Sequence, residues 1–244
     1  MNRTYEFFIL FLKENVYNKM ILFWVVFIPL IFFFINYNDW FVNRPQEQEA
    51  YLVLAFFWSL MILISAVINT AVSLFMMREE GFMKMFSFIA GSKRSIIFGK
   101  GLANLLFLIV SMIVFNLVVA LLFQMNPFML IMNSLLLIAV TFIPVVLFFS
   151  WIMTLPFKED SIAPAFSLLT IVLMYLTSDM VGVQSPLFLI NPAEFILRVA
   201  EAVIISDVVD VTNVLTLVIV GCIYMIIGLV TIKLANLESR TIRQ

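Results

Sequence analysis

The sequence predicts an all-α integral membrane protein: a six-transmembrane-helix bundle with an N-terminal interfacial helix, a short cytoplasmic helix and re-entrant outer helices between spans five and six. Three observations predict it. Of the 244 residues, 64% are hydrophobic and only 12% charged. A soluble domain runs nearer half apolar and a quarter charged, so this chain has too little polar surface to cover itself in water. Six stretches approach the ~20 apolar residues that a helix needs to cross a bilayer. The basic residues, finally, divide unevenly between the two sets of connecting loops.

The six stretches are 20–35, 51–77, 96–123, 127–155, 161–177 and 211–235. The third and fourth are separated by Gln124-Met125-Asn126, and Pro127 starts the fourth helix, where its missing N–H costs nothing. Residues 156–160 form a polar turn between the fourth and fifth. No cleavable leader is expected, because no small-residue cleavage site follows the first apolar run, which reads as a retained span. The whole chain, 1–244, is expected to be one transmembrane domain.

If the loops alternate between two sides, one side carries Arg3, Lys13, Lys19, Arg78, Lys84, Lys93, Arg94, Lys100, Lys158, Lys233, Arg240 and Arg243. The other carries only Arg44 and Arg198. The positive-inside rule makes the basic side cytoplasmic and puts both termini there, in a cell membrane. Asn2-Arg3-Thr4 matches a glycosylation acceptor, but this topology places it on the cytoplasmic side. The frequency of Phe, Ile and Asn fits a low-GC bacterium.

Two segments depart from a plain hairpin bundle. In residues 1–19, Tyr5, Phe8, Leu12 and Val16 share a helical face, so a helix lying on the cytoplasmic surface is expected with that face on lipid. In residues 181–210, Pro186 and Pro192 leave neither half long enough to span. Asn191 is placed to cap a helix begun by Pro192, and Glu194 and Arg198 are spaced to pair at i,i+4.

Chemistry is scarce. Histidine is absent, which removes the commonest general base and metal ligand, and the single cysteine, Cys222, cannot form an internal disulfide. Position 94 is Arg rather than Gly, and Gly101 follows Lys100, so no phosphate-cradling loop is present. The formal net charge of −1 argues against a nucleic-acid partner. Asp179 reads as a helix-end residue reaching water, and an ion-coupled transporter would ordinarily place a charge at mid-membrane.

Polar stripes run along two spans. Ser65, Asn69 and Ser73 recur every four residues on the second, and Lys100, Asn104 and Ser111 share a face of the third. They fit either a translocation path or the interhelical hydrogen bonding common in membranes. Gly221 and Gly228, seven apart, fit a close packing face. Pro29 and Pro144 fall inside spans, where proline can kink a helix.

The most informative stretch is 78–94, within a cytoplasmic segment 78–95 joining the second and third spans. Arg78, Glu79, Glu80 and Gly81 come first, and then Phe82, Met83, Lys84, Met85, Phe86 and Ile89. Phe82, Met85, Phe86 and Ile89 stand at helical spacing, which predicts a short amphipathic helix with exposed apolar anchors. Such a helix can lie on lipid headgroups or dock in a groove of a cytoplasmic partner.

With these residues the chain resembles the permeases of the type-2 ATP-binding-cassette (ABC) exporter family. There an Arg-Glu pair ends the second span, a glycine and a coupling helix follow, and a Gly-Lys pair opens the third, as Gly99-Lys100 does here. The surface helix, Pro29 in the first span, the six spans and the Asn191-Pro192 start of an outer helix also fit. Gly91-Ser92 departs from the family, which commonly has a proline near the end of the coupling helix. The resemblance implies a permease working with a second copy or paralogue, each engaging a cytoplasmic ABC ATPase on a separate chain. ATP and Mg would be held by that ATPase, and the cargo would be an amphipathic or hydrophobic small molecule or peptide. The alternatives are a membrane binding or immunity module that does not transport, an ion-coupled transporter, or an intramembrane enzyme, which the lack of histidine disfavours.

Overall fold

The computed structural model describes residues 3–19, 23–43, 45–157, 159–177, 190–204 and 211–235. Among these the chain is all-α. Helix α1 is Arg3–Tyr17. A π-helical turn, Phe23–Phe27, leads into α2, Ile28–Asn36. Helix α3 runs from Glu47 to Glu79 and is continuous, with a π-helical stretch at Ser65–Val72. There follow α4 (Phe82–Ala90), α5 (Lys93–Phe123), α6 (Pro127–Phe149, tightening to a 3-10 turn over Ser150–Thr154), α7 (Glu159–Tyr175), α8 (Pro192–Ile204) and α9 (Val211–Leu234).

Four of these helices, α3, α5, α6 and α9, are long and apolar enough to cross a membrane. The protein is therefore an α-helical membrane protein. The first and fifth expected spans correspond to shorter apolar helices, 25–36 and 160–175, among the described residues. The caps explain several boundaries. Ser92 accepts the Arg94 N–H at 3.2 Å to start α5, and Asn126 accepts the Phe128 N–H at 3.0 Å to start α6. Gln124, at φ 54°, ends α5 in the left-handed conformation.

α3 is the centre of the bundle: 67% of its most apolar window is buried, against 22% for α9, which lies at the edge. At the Phe123 end, the Phe33 ring is surrounded by the rings of Trp40, Phe57, Phe115 and Phe123 at 5.2–6.0 Å. A polar tie joins three helices in the same half. Trp58 Nε1 donates to Asn116 Oδ1 at 2.8 Å, and Asn116 Nδ2 donates to Ser134 Oγ at 2.7 Å. All three residues are buried, and no local sequence pattern marks them.

The expected N-terminal helix is present, and its opposite face packs on the bundle. α1 packs along α5 with Phe7, Phe11 and Asn15 buried, while Tyr5 and Val16 are exposed and Phe8 and Leu12 are half-buried. Residues 7–12 are apolar all round, so the pattern alone could not choose a face. The partner chose it. A Cβ on Gly99 would lie 2.7 Å from Phe7 Cβ, so only glycine lets α1 come this close. Lys100 lies 4.9 Å from the Phe11 ring centroid, and its Nζ donates to Glu14 Oε1 at 3.0 Å. Gly99→Ala is expected to lift α1 from α5 at about 1–3 kcal/mol, the usual cost of overpacking. Hydrogen exchange of the 7–15 amides should rise about tenfold, and unchanged exchange would refute this seating.

The outer segment is described from residue 190. Asn191 Oδ1 accepts the Ala193 N–H at 2.9 Å, so it caps α8 as expected, and Glu194 and Arg198 pair at 2.8 Å. α8 packs its buried residues on α3 and α6. Residues 181–189 with Pro186, together with Asn2, Arg44, Lys158, Asp179, Arg240 and Arg243, lie outside the described residues.

Gly228 is a point of close helix packing: a Cβ there would overlap the Leu147 Cβ and carbonyl oxygen. Gly221 is less demanding, with Phe195 at 3.5 Å. Pro29 follows the π-helical turn inside a continuous helix, and Pro144 lies buried inside α6.

Candidate functional site

The foot of α3 runs into α4 through a two-residue turn, Glu80-Gly81. Gly81 adopts φ +80°, a conformation that a side chain would strain, and this reverses the chain into α4 within one residue. Gly91, at φ +66°, ends α4 in the same way. Two left-handed glycines thus bracket a nine-residue helix and fix its direction against the ends of α3 and α5.

Arg78 and Glu79 precede that turn. Both were expected in the contact with a partner, yet Arg78 is 1% exposed and Glu79 3%. The Arg78 guanidinium pairs with the Glu79 carboxylate, donating from Nε at 2.8 Å. It also donates to the carbonyls of Met153 and Leu155, the latter at 2.7 Å. These carbonyls lie where α6 tightens and ends, so their helical donors are lost. The planar fork of arginine reaches both carbonyls and the carboxylate together, which lysine could not do. The pair therefore clamps the foot of α3 to the end of α6 and offers no docking surface of its own.

α4 divides the remaining expected contact residues. Met83 is buried, in a small core with Phe7, Phe11, Leu74, Met77 and Ile96. Phe86 is half-buried with its ring 5.5 Å from Phe7, so it holds α4 to α1. Phe82, which stacks on Phe86 at 6.1 Å, is 45% exposed, and Met85 is 47% exposed. Phe88 and Ile89 are more exposed still, at 79% and 69%. Glu80 and Lys84 are exposed beside them.

The outward apolar face is thus Phe82, Met85, Phe88 and Ile89. The helical spacing in the sequence points to Phe86 where the structure presents Phe88. Continuing from Met85 by three residues reaches Phe88, so the helical period carried the signal. The face stands clear of the bundle and is not needed for its packing. Beside it, Lys93 Nζ donates to the carbonyls of Lys233 at 3.1 Å and Ala235 at 2.7 Å. A cation at a helix C-terminus is favourable, and here it fastens α9 to the start of α5.

The polar stripes of the second and third spans meet. Asn104 Nδ2 donates to the Asn69 carbonyl at 2.7 Å and to Thr70 Oγ1 at 2.9 Å, and Asn15 Nδ2 donates to Asn104 Oδ1 at 2.7 Å. Ser65, Asn69, Asn104 and Ser111 are all buried between helices, while Ser73 is half-buried. Ser111 Oγ bonds its own helix at the Phe107 carbonyl, 2.8 Å away. Among the described residues no group of His, Cys, Asp and Glu is arranged to hold a metal. No family model, curated protein or solved structure matches the chain.

Proposed function

We propose that this chain is the permease subunit of an ABC exporter of the type-2 class, driven by a separate cytoplasmic ATPase that docks on α4. The observation that carries this reading is the outward face of α4. A contiguous apolar patch on a short, rigidly bracketed connection between two long membrane helices is poorly suited to a free loop and well suited to a partner's groove. Arg78 and Glu79 take part behind the surface: they hold α4's root to two helices at once, so a push on α4 is delivered to α3 and α6 together. ATP and Mg belong to the ATPase.

On this reading the chain crosses the cell membrane six times, α2 and α7 supplying the first and fifth spans, with both termini cytoplasmic. The distribution of Lys and Arg supports that orientation. A second copy or a paralogue would complete the pathway, and the stripe of Ser65, Asn69, Ser73, Asn104 and Ser111 would lie along helices that must shift during transport. The cargo would be amphipathic or hydrophobic, a peptide, drug-like molecule or lipid-linked compound.

The test is to purify the tagged full chain from its own host in mild detergent and identify what accompanies it. An ABC ATPase in stoichiometric amount, lost on brief high-salt and detergent washing only together with its activity, is the expected result. Recovery of the folded chain with no nucleotide-hydrolysing partner would count against the proposal. An interfacial role for α4, with Phe88 and Ile89 in lipid, gives that second result.

A further inference from the structure

Helix α3 does not keep one register. Between Glu47–Ile64 and Ser73–Glu79, the eight residues Ser65–Val72 are π-helical. A π stretch holds an extra residue per turn and is weaker than the α-helix on either side, so it persists only where neighbours support it. The support here is specific. Thr70 Oγ1 donates to the Ser65 carbonyl at 2.9 Å, five residues back. Asn104, from α5, takes the Asn69 carbonyl at 2.7 Å and reaches Thr70 Oγ1 at 2.9 Å. In an α register the Asn69 carbonyl would instead take the Ser73 N–H.

The neighbouring helix changes pitch beside it. α6 tightens over Ser150–Thr154, and this turn packs on the π stretch. On one side of the two irregular segments, Trp58, Asn116 and Ser134 tie α3, α5 and α6 together. At the other end, Arg78 ties the foot of α3 to the carbonyls of Met153, inside the α6 turn, and Leu155, just past it. The two ties therefore lie on either side of one level of irregular helix, while α5 runs uninterrupted past both and α1 and α4 pack beside it. At that level Ser65 Oγ, Asn69 Nδ2 and Asn15 Oδ1 are buried without a protein partner. Buried polar atoms in this condition favour any rearrangement that satisfies them.

We infer that Ser65–Val72 is a two-register hinge, latched in its π form by Asn104, about which the foot of α3 and the end of α6, joined by Arg78, turn together and carry α4 along α1 and α5. Conversion to the α register releases Asn104 from Asn69 and Thr70 and rotates the foot against the upper bundle by about one residue, roughly 100° of helical phase at most. The small side chains of the stretch, Ser65, Ala66, Thr70 and Ala71, make room for the turn. The hinge belongs to the chain by itself and needs no ATPase, so it stands or falls apart from the exporter reading.

The test is pulsed electron–electron distance measurement on the full chain in lipid nanodiscs, diluted with unlabelled chain. Spin labels go at Leu121→Cys and Phe88→Cys in a Cys222→Ser background. Leu121 is at the far end of α5 and Phe88 at the tip of α4, and both are well exposed. The parent should show one main distance with a minor second one. Thr70→Val, close in shape, should raise the ratio of second to first by roughly fivefold per hydrogen bond removed, and Asn104→Leu should raise it further. If Asn104→Leu does not fold, Thr70→Val decides. The same distance distribution in the parent and in every folded variant would overturn the hinge.

Discussion

Arg78→Met is expected to cost about 3–5 kcal/mol, the usual cost of stripping one member from a buried ion pair. The substitution keeps the side-chain volume and removes the fork. Glu79, 3% exposed, loses the guanidinium that neutralises it, and the carbonyls of Met153 and Leu155 lose their donor. Arg78→Lys keeps the charge but cannot satisfy three acceptors at once, so it should fall between the parent and Arg78→Met. The double variant Arg78→Met with Glu79→Leu should recover part of the loss, because both members of the buried ion pair are then replaced by apolar side chains. Thermal stability in detergent, followed by the monodisperse fraction on size exclusion, reads all four proteins. Equal melting of Arg78→Met and the parent would mean that the clamp carries no stability.

Gly228→Ala is expected to be worse than an ordinary overpacking change, which costs about 1–3 kcal/mol. The added methyl would meet the Leu147 carbonyl oxygen as well as its Cβ, and a backbone group cannot rotate away. α9 has little other burial to hold it. Its buried positions are few, chiefly Gly221, Tyr224, Gly228 and Ile232. Ser150 Oγ also reaches the Gly228 carbonyl at 3.4 Å. Detachment of α9 is the expected consequence, seen as new protease cleavage near residue 211 and as loss of the Lys93 tie. Gly221→Ala is the control, since Phe195 stands at ordinary contact distance. It should be tolerated, and equal loss in both variants would refute the packing account.

Much of this was legible in the sequence because bilayer-length apolar runs and caps are local signals. Residues 51–77, 96–123, 127–155 and 211–235 became long helices, and Pro127, Asn191 and Pro192 opened helices where expected. Glu194 and Arg198 paired because their spacing on one helix leaves little choice. Other features depend on what lies opposite. The buried face of α1 was set by Gly99 and Lys100 on another helix, and residues 7–12 look alike from every side. Arg78 and Glu79 can be read as a pair or as partners of outside charges, but nothing near them in sequence reveals the carbonyls 75 and 77 residues away. Phe86 and Phe88 are two apart on α4 and therefore face different ways, one toward Phe7 and one outward. The π register was hidden because Ser65, Asn69 and Ser73 have ordinary α spacing. What breaks it is the set of bonds made by Thr70 and Asn104.

The central claim, that α4 is where a separate ATPase takes hold, is tested most directly by replacing Met85 and Phe88 together with alanine. Neither side chain is buried, so insertion and thermal stability should match the parent. Interface anchors of this kind often cost about 2 kcal/mol or more on truncation, or at least roughly thirtyfold in affinity. The account predicts that the purified variant keeps its fold but retains less than about a tenth of the co-purifying ATPase. Phe86→Ala, which faces α1, should instead loosen α1 and lower stability. Full retention of the ATPase by the Met85→Ala, Phe88→Ala protein would contradict the account.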